Sequence, residues 1–199
     1  MTFDALNSLL EANRPLLSNT WMRNAFRYYG VAELRGSGSN PQIVQFIATT
    51  TGRTFRSADP RSSIPEVSAA TRLMPVCYIG AQYRGIDDSN DTRWAWCSAF
   101  VNHVMITSGY GGTYSLGARS WQHWGQRIRR DNVQFGAIAV FKRTTATDPQ
   151  GRSHGHVGFY VGEDTTHYLI YGGNQGKRVG VSRYPKNRLV GFRWPAVSS

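Results

Sequence analysis

Cys97 stands in Arg93-Trp94-Ala95-Trp96-Cys97-Ser98-Ala99-Phe100-Val101, a pattern that predicts the start of a helix. A thiol there meets unpaired backbone N–H groups and the positive end of the helix dipole. Both favour thiolate, the form that attacks carbonyl carbon. Val101 and Val104 continue the helical spacing, and Phe100 and Met105 widen the same apolar stripe, so Cys97 points along the packed face toward a covering sheet. A structural cysteine would do the same, and an isolated buried cysteine is more often inert than reactive. Partners decide.

The first partner is His156, in Ser153-His154-Gly155-His156-Val157-Gly158-Phe159-Tyr160-Val161-Gly162. Val157, Phe159 and Val161 alternate as a strand, leaving His156, Gly158 and Tyr160 on the other face. An imidazole suits proton transfer near neutrality, although a lone strand histidine is more often structural. Gly158 removes a side chain beside His156, so a helix is expected to approach closely. The second partner is Asn174, in Tyr171-Gly172-Gly173-Asn174-Gln175. An ordinary turn asparagine would serve there equally well; the alternative is that its side-chain oxygen holds the imidazole in the required tautomer, as the third member of a triad.

These motifs together resemble the small papain-like cysteine hydrolases of bacterial cell walls, the CHAP and NlpC/P60 group, in a phage- and toxin-associated branch. The resemblance is carried by Trp96-Cys97, by the run from Gly155 to Gly162, by Gly172-Gly173-Asn174-Gln175 and by Gly191-Phe192-Arg193-Trp194-Pro195. Ala118-Arg119-Ser120-Trp121 with Trp124-Gly125, and Gly30-Val31 with Gly38-Ser39-Asn40-Pro41, are similar to the same branch. It covers residues 21–52 and 93–195. It implies a nucleophile at Cys97, a general base at His156, an orienting residue at Asn174, and glycopeptide-binding roles for Trp96, Arg119, Trp121 and Trp124. Residues 54–90 depart from the pattern by their length, and a lid, a specificity loop, a partner-binding insertion and a packed surface excursion all remain open.

The remaining histidines fit the site less well. His103 lies six residues beyond Cys97, well round the helix, and is expected to face away from the reaction centre. His123 sits among aromatics that either line a groove or pack in the core, and His167 is expected to be exposed near a strand start. His154 and His156 form the best case for zinc, but there is no Cys cluster and no His-Glu-x-x-His, and neither His103 nor His123 has a carboxylate four residues on. No metal and no cofactor are therefore expected.

The elements that would carry these residues are helices near 3–13, 20–29, 41–50, 97–108 and 118–124. Strands follow near 136–142, 156–162, 167–172, 179–184 and 189–194, with a polar loop over 144–153. Helices first and strands later predict an α+β fold with an antiparallel sheet, and the resemblance sharpens this to a papain-like NlpC/P60-CHAP fold with the nucleophile at a helix N-terminus. A chain of 199 residues, 40% hydrophobic and 13% aromatic, is expected to form one catalytic domain over 1–199, with a helical extension at 1–18 and an insertion at 54–90.

The 23 Lys and Arg against 12 Asp and Glu give a net charge of +11, which implies an anionic partner surface. The basic residues are dispersed apart from Arg127-Ile128-Arg129-Arg130, and no zinc finger, RNA-recognition signature or recognition-helix pattern accompanies them, so no specific nucleic acid is expected. Residues 1–17 carry Asp4 and Glu11 without a basic then apolar order, so neither a secretory signal nor a membrane span is expected. Of the two cysteines, Cys77 reads as a buried structural thiol; a Cys77–Cys97 disulfide after export would block the nucleophile.

The resulting expectation is a cysteine hydrolase that cleaves an amide bond in peptidoglycan, either as an amidase or as a stem-peptide endopeptidase. It would be made in the cytoplasm and would act in the periplasm or cell wall after delivery by a secretion system or phage lysis. A cognate immunity or inhibitor protein is a possible partner. Two alternatives stand beside it: a non-catalytic module of the same fold that binds wall polymer or protein, and a toxin that uses the triad for proteolysis or deamidation of a protein.

Overall fold

The computed structural model describes residues 19–34, 39–52, 95–147 and 153–196. The expected helix at 3–13, the extension at 1–18, the insertion at 54–90 and Cys77 lie outside these residues. Three described α-helices, α1 (Thr20–Phe26), α2 (Pro41–Thr51) and α3 (Cys97–Thr107), precede six strands: β1 (Gln126–Ile128), β2 (Ile138–Thr147), β3 (Ser153–Glu163), β4 (His167–Gly172), β5 (Gly180–Pro185) and β6 (Leu189–Trp194). The chain is α+β, with helices first and an antiparallel sheet after them, as the order of patterns predicts.

Local chemistry explains the helix boundaries. Asn40 caps α2 by accepting from the Gln42 N–H at 2.9 Å, Pro41 occupies the first turn, and Gly52 closes the helix with φ 67°. That combination satisfies one orphan donor at the start and supplies the left-handed residue at the end. Helix α3 is buried at every position from Cys97 to Met105, because it lies between α1 and α2 on one side and the sheet on the other.

The sheet order is β1-β6-β2-β3-β4-β5, so the hairpins from β2 to β5 run consecutively and β6 returns beside β2. Alternation then divides the side chains between two cores. Ile138, Val140, Val157, Phe159 and Val161 join Cys97, Phe100 and Val101 on the helix side, while Ala139, Phe141, Tyr168, Ile170 and Phe192 form a second core on the other face.

Three local expectations are corrected. The segment expected as a helix at 118–124 is a 3₁₀ helix, Ala118–His123. The polar stretch 144–153 is not all loop: β2 continues to Thr147 and β3 begins at Ser153. Threonines are β-branched, which favours strand over loop. Strand β1 was not expected, since its three residues are too few to show a period and it pairs only with β6 at the sheet edge. Among the described residues no helix is long and apolar enough to cross a membrane.

Candidate active site

Cys97 is the first residue of α3, and its backbone is positioned by its neighbour Trp96. The Trp96 indole is wholly buried and donates to Glu33 Oε1 at 3.0 Å, and Lys177 Nζ lies 3.6 Å from Glu33 Oε2. A Cβ on Gly173 would come within 2.7 Å of both Phe100 and the Trp96 ring, so only glycine lets the β4–β5 connection pass this close to the start of α3. The first turn is also fastened to the following loop: Ser98 Oγ donates to the Ser115 carbonyl at 2.7 Å and accepts from Trp121 Nε1 at 3.0 Å. Asn102 Oδ1 accepts from the backbone N–H groups of Thr113 and Tyr114.

The thiol lies against β3. Burial raises the Cys97 pKa above its ordinary value, while the backbone N–H groups of Val157 and Ser98, together with the positive charge of Arg143, act in the opposite direction. Burial dominates, so the resting group is a neutral thiol. Its S–H makes a long contact of 3.8 Å to the Ala95 carbonyl.

His156 immediately precedes Val157 in β3 and is paired across the strands with Phe141. Its ring therefore belongs to the Phe141 face, where it stacks on Tyr184 at 4.6 Å with planes 10° apart. Burial lowers its pKa to about 3, and the positive charge of Arg143 adds to the effect. The imidazole is neutral, and its Nε2 is buried with no hydrogen-bond partner among the described residues. Cys97 and His156 are each only 3% exposed, so both are shut away from bulk solvent in the resting state.

The thiol thus meets the strand at Val157, beside His156, but the two side chains form no hydrogen bond with each other. Nor does Gly158 admit a helix beside His156, as its composition led us to expect. A Cβ there would meet Ile170 Cγ2 at 2.6 Å and the Tyr171 carbonyl at 2.7 Å, so the close neighbour is β4.

Asn174 follows β4 with φ 55°, a left-handed conformation that asparagine tolerates better than most residues. Gln175 holds this turn shut, its Nε2 donating to the carbonyls of Ile170 at 2.9 Å and Gly180 at 2.8 Å. The Asn174 side chain makes no hydrogen bond to His156, so the contact expected of an orienting residue is not formed in this state. Tyr184 is instead the residue that fixes the ring, and it was missed because its approach depends on β5 lying across the sheet rather than on anything near His156 in the chain.

Of the residues expected to bind glycopeptide, Trp96 and Trp121 are corrected to core positions, because both are wholly buried and both indole N–H groups are taken by Glu33 and Ser98. Trp124 is half-buried with its ring 5.1 Å from that of Trp121. Arg119 donates to Gln122 Oε1, and its stem lies over Gly155, where a Cβ would come within 3.0 Å of Arg119 Cδ. It therefore borders the strand one residue before His156.

His103 faces α2, with Nδ1 2.8 Å from Thr49 Oγ1 and Nε2 2.8 Å from the Tyr28 hydroxyl. His123 is exposed rather than packed, and His167 is half-buried beside Asp164. The side chain of His154 lies outside the described residues. Among those that are described, no group of His, Cys, Asp and Glu converges as a metal site would require.

Comparison with known proteins adds nothing to this geometry: no family model matches the chain, and no curated protein matches it significantly.

Proposed function

We propose that the protein is a papain-like cysteine hydrolase that cleaves an amide bond of bacterial peptidoglycan, with Cys97 as nucleophile and His156 as general base. The observation that carries the reading is the unpartnered nitrogen. His156 Nε2 is buried without a hydrogen bond among the described residues, one residue from the Val157 N–H against which the Cys97 thiol lies. A buried polar atom left unsatisfied costs about 1–3 kcal/mol, and a catalytic role is one reason a fold retains it.

In the reaction the imidazole leaves Tyr184 and turns from the Phe141 face toward the start of α3, where it takes the Cys97 proton, and the thiolate attacks the substrate carbonyl. Catalytic hydrogen bonds commonly tighten only when substrate is bound. The Cys97 backbone N–H and a neighbouring polar group stabilise the tetrahedral oxyanion, the amine leaves with a proton from the imidazolium, and water releases the acyl group. Asn174 orients the imidazolium once it has turned toward Cys97. Arg119, beside the His156 strand, and Trp124 are the residues that bind glycopeptide in this reading, and the anionic wall attracts the cationic protein.

The test is incubation with purified sacculi followed by mass spectrometry of the soluble products. New amino and carboxyl termini at a single amide position support hydrolysis and name the bond. Undigested sacculi that retain the protein support a binding module instead.

A further inference from the structure

Pairing of β1 with β6 sets Arg127 directly opposite Arg193. Residues opposed in this way share a face with their Cβ atoms about 5 Å apart, and like charges there are destabilising. Among the described residues neither guanidinium has a carboxylate partner. Arg193 donates one N–H to the Gln122 carbonyl, yet its Nε is buried with no acceptor. Burial, and then the positive charge of Arg127, lower the Arg193 pKa.

The two arginines lie along a groove at the sheet edge. A cavity of about 510 Å³ is lined by Arg127, Ile128, Arg129, Arg130, Gly191 and Phe192. It adjoins a second cavity of about 240 Å³ that also borders Arg127 and Gly191 and reaches Arg193, Gln122 and His123. Asp131, the acidic residue on the lining, is already paired with Arg129 at 3.1 Å.

We propose that the smaller cavity, which borders both arginines, binds an oxyanion, a carboxylate or phosphate group of its ligand bridging Arg127 and Arg193. The planar guanidinium fork matches both groups, and an anion between the two cations removes their repulsion. The oxyanion site is independent of Cys97 and of whether the protein is a hydrolase.

The test is thermal unfolding of the full chain at constant ionic strength, titrated separately with inorganic phosphate and with citrate. Wild-type protein should gain Tm saturably with at least one probe, and the probe that acts identifies phosphate or carboxylate as the preferred group. Arg127→Gln and Arg193→Gln should lose that response, whereas Arg178→Gln, which removes the same charge from an exposed position elsewhere, should keep it. Gly191→Glu provides an independent variant, since a Cβ there meets nothing within 4 Å. Its carboxylate should raise Tm without added anion and abolish the titration. No saturable gain with either probe, an equal gain in Arg127→Gln, or an equal loss in Arg178→Gln would overturn the site.

Discussion

The imidazole of His156 lies flat against the phenol ring of Tyr184, with centroids 4.6 Å and planes 10° apart. The stack keeps a neutral ring neutral, since burial among aromatics disfavours the imidazolium. With a pKa near 3, His156 should remain uncharged from pH 5 to 8, and NMR of its ring nitrogens should show no titration in that range. Tyr184→Ala should admit water and move the midpoint upward. A wild-type midpoint near the ordinary value would mean that the ring is not held in this way.

Because burial raises the thiol above its ordinary pKa, the resting pair is thiol and imidazole rather than thiolate and imidazolium. Alkylation of Cys97 by iodoacetamide should therefore be slow at pH 7 and keep rising through pH 9. A rate already at its plateau near pH 6 would reveal a preformed ion pair and contradict the resting geometry.

His103 supplies a separate pH dependence. Thr49 donates its hydroxyl proton to the Gln45 carbonyl at 2.8 Å, so its oxygen accepts from His103 Nδ1–H and leaves Nε2 to accept from Tyr28. Burial lowers the His103 pKa from 6.5 to about 4. A depressed histidine favours the folded state above its unfolded pKa, and that stability is lost as pH falls from 6.5 toward 4. The full loss is about 3 kcal/mol. Urea unfolding at pH 7 and pH 4.5 should show a smaller difference for His103→Gln than for wild type. His156 acts in the same direction and should account for part of what remains. An unchanged difference would remove His103 from the explanation.

Glu33 should matter to both stability and rate. Its carboxylate receives the buried Trp96 indole N–H at 3.0 Å, so Glu33→Ala leaves that donor unpaired at a cost of about 1–3 kcal/mol. The same change releases the residue that precedes the nucleophile. Urea unfolding should show the loss of stability, and the turnover of sacculi by the folded fraction should fall as well. Full stability in Glu33→Ala would show that the hydrogen bond is replaced at no cost.

What could be read from the chain follows the range of the interactions. The cap at Asn40-Pro41, the helix from Cys97 and the alternation of Val157, Phe159 and Val161 are local, and the structure has them where the spacing predicts. The placing of His156 on the face away from the α3 core also follows from that alternation. Its contact with Tyr184 does not, because it depends on how β5 crosses the sheet. Trp96 and Trp121 illustrate the opposite difficulty: an indole in a groove and an indole in a core look alike in sequence, and only the partners of their N–H groups, Glu33 and Ser98, distinguish them.

The central claim is that Cys97 and His156 act as one unit on a wall amide. The most direct measurement is the rate at which muropeptides are released from purified sacculi by wild type, Cys97→Ala and His156→Ala, each first shown to be folded. Nucleophile and base that work together are lost together, so each substitution should lower the rate by about 10³-fold or more, and combining them should add little. Release by Cys97→Ala at close to the wild-type rate would contradict the mechanism.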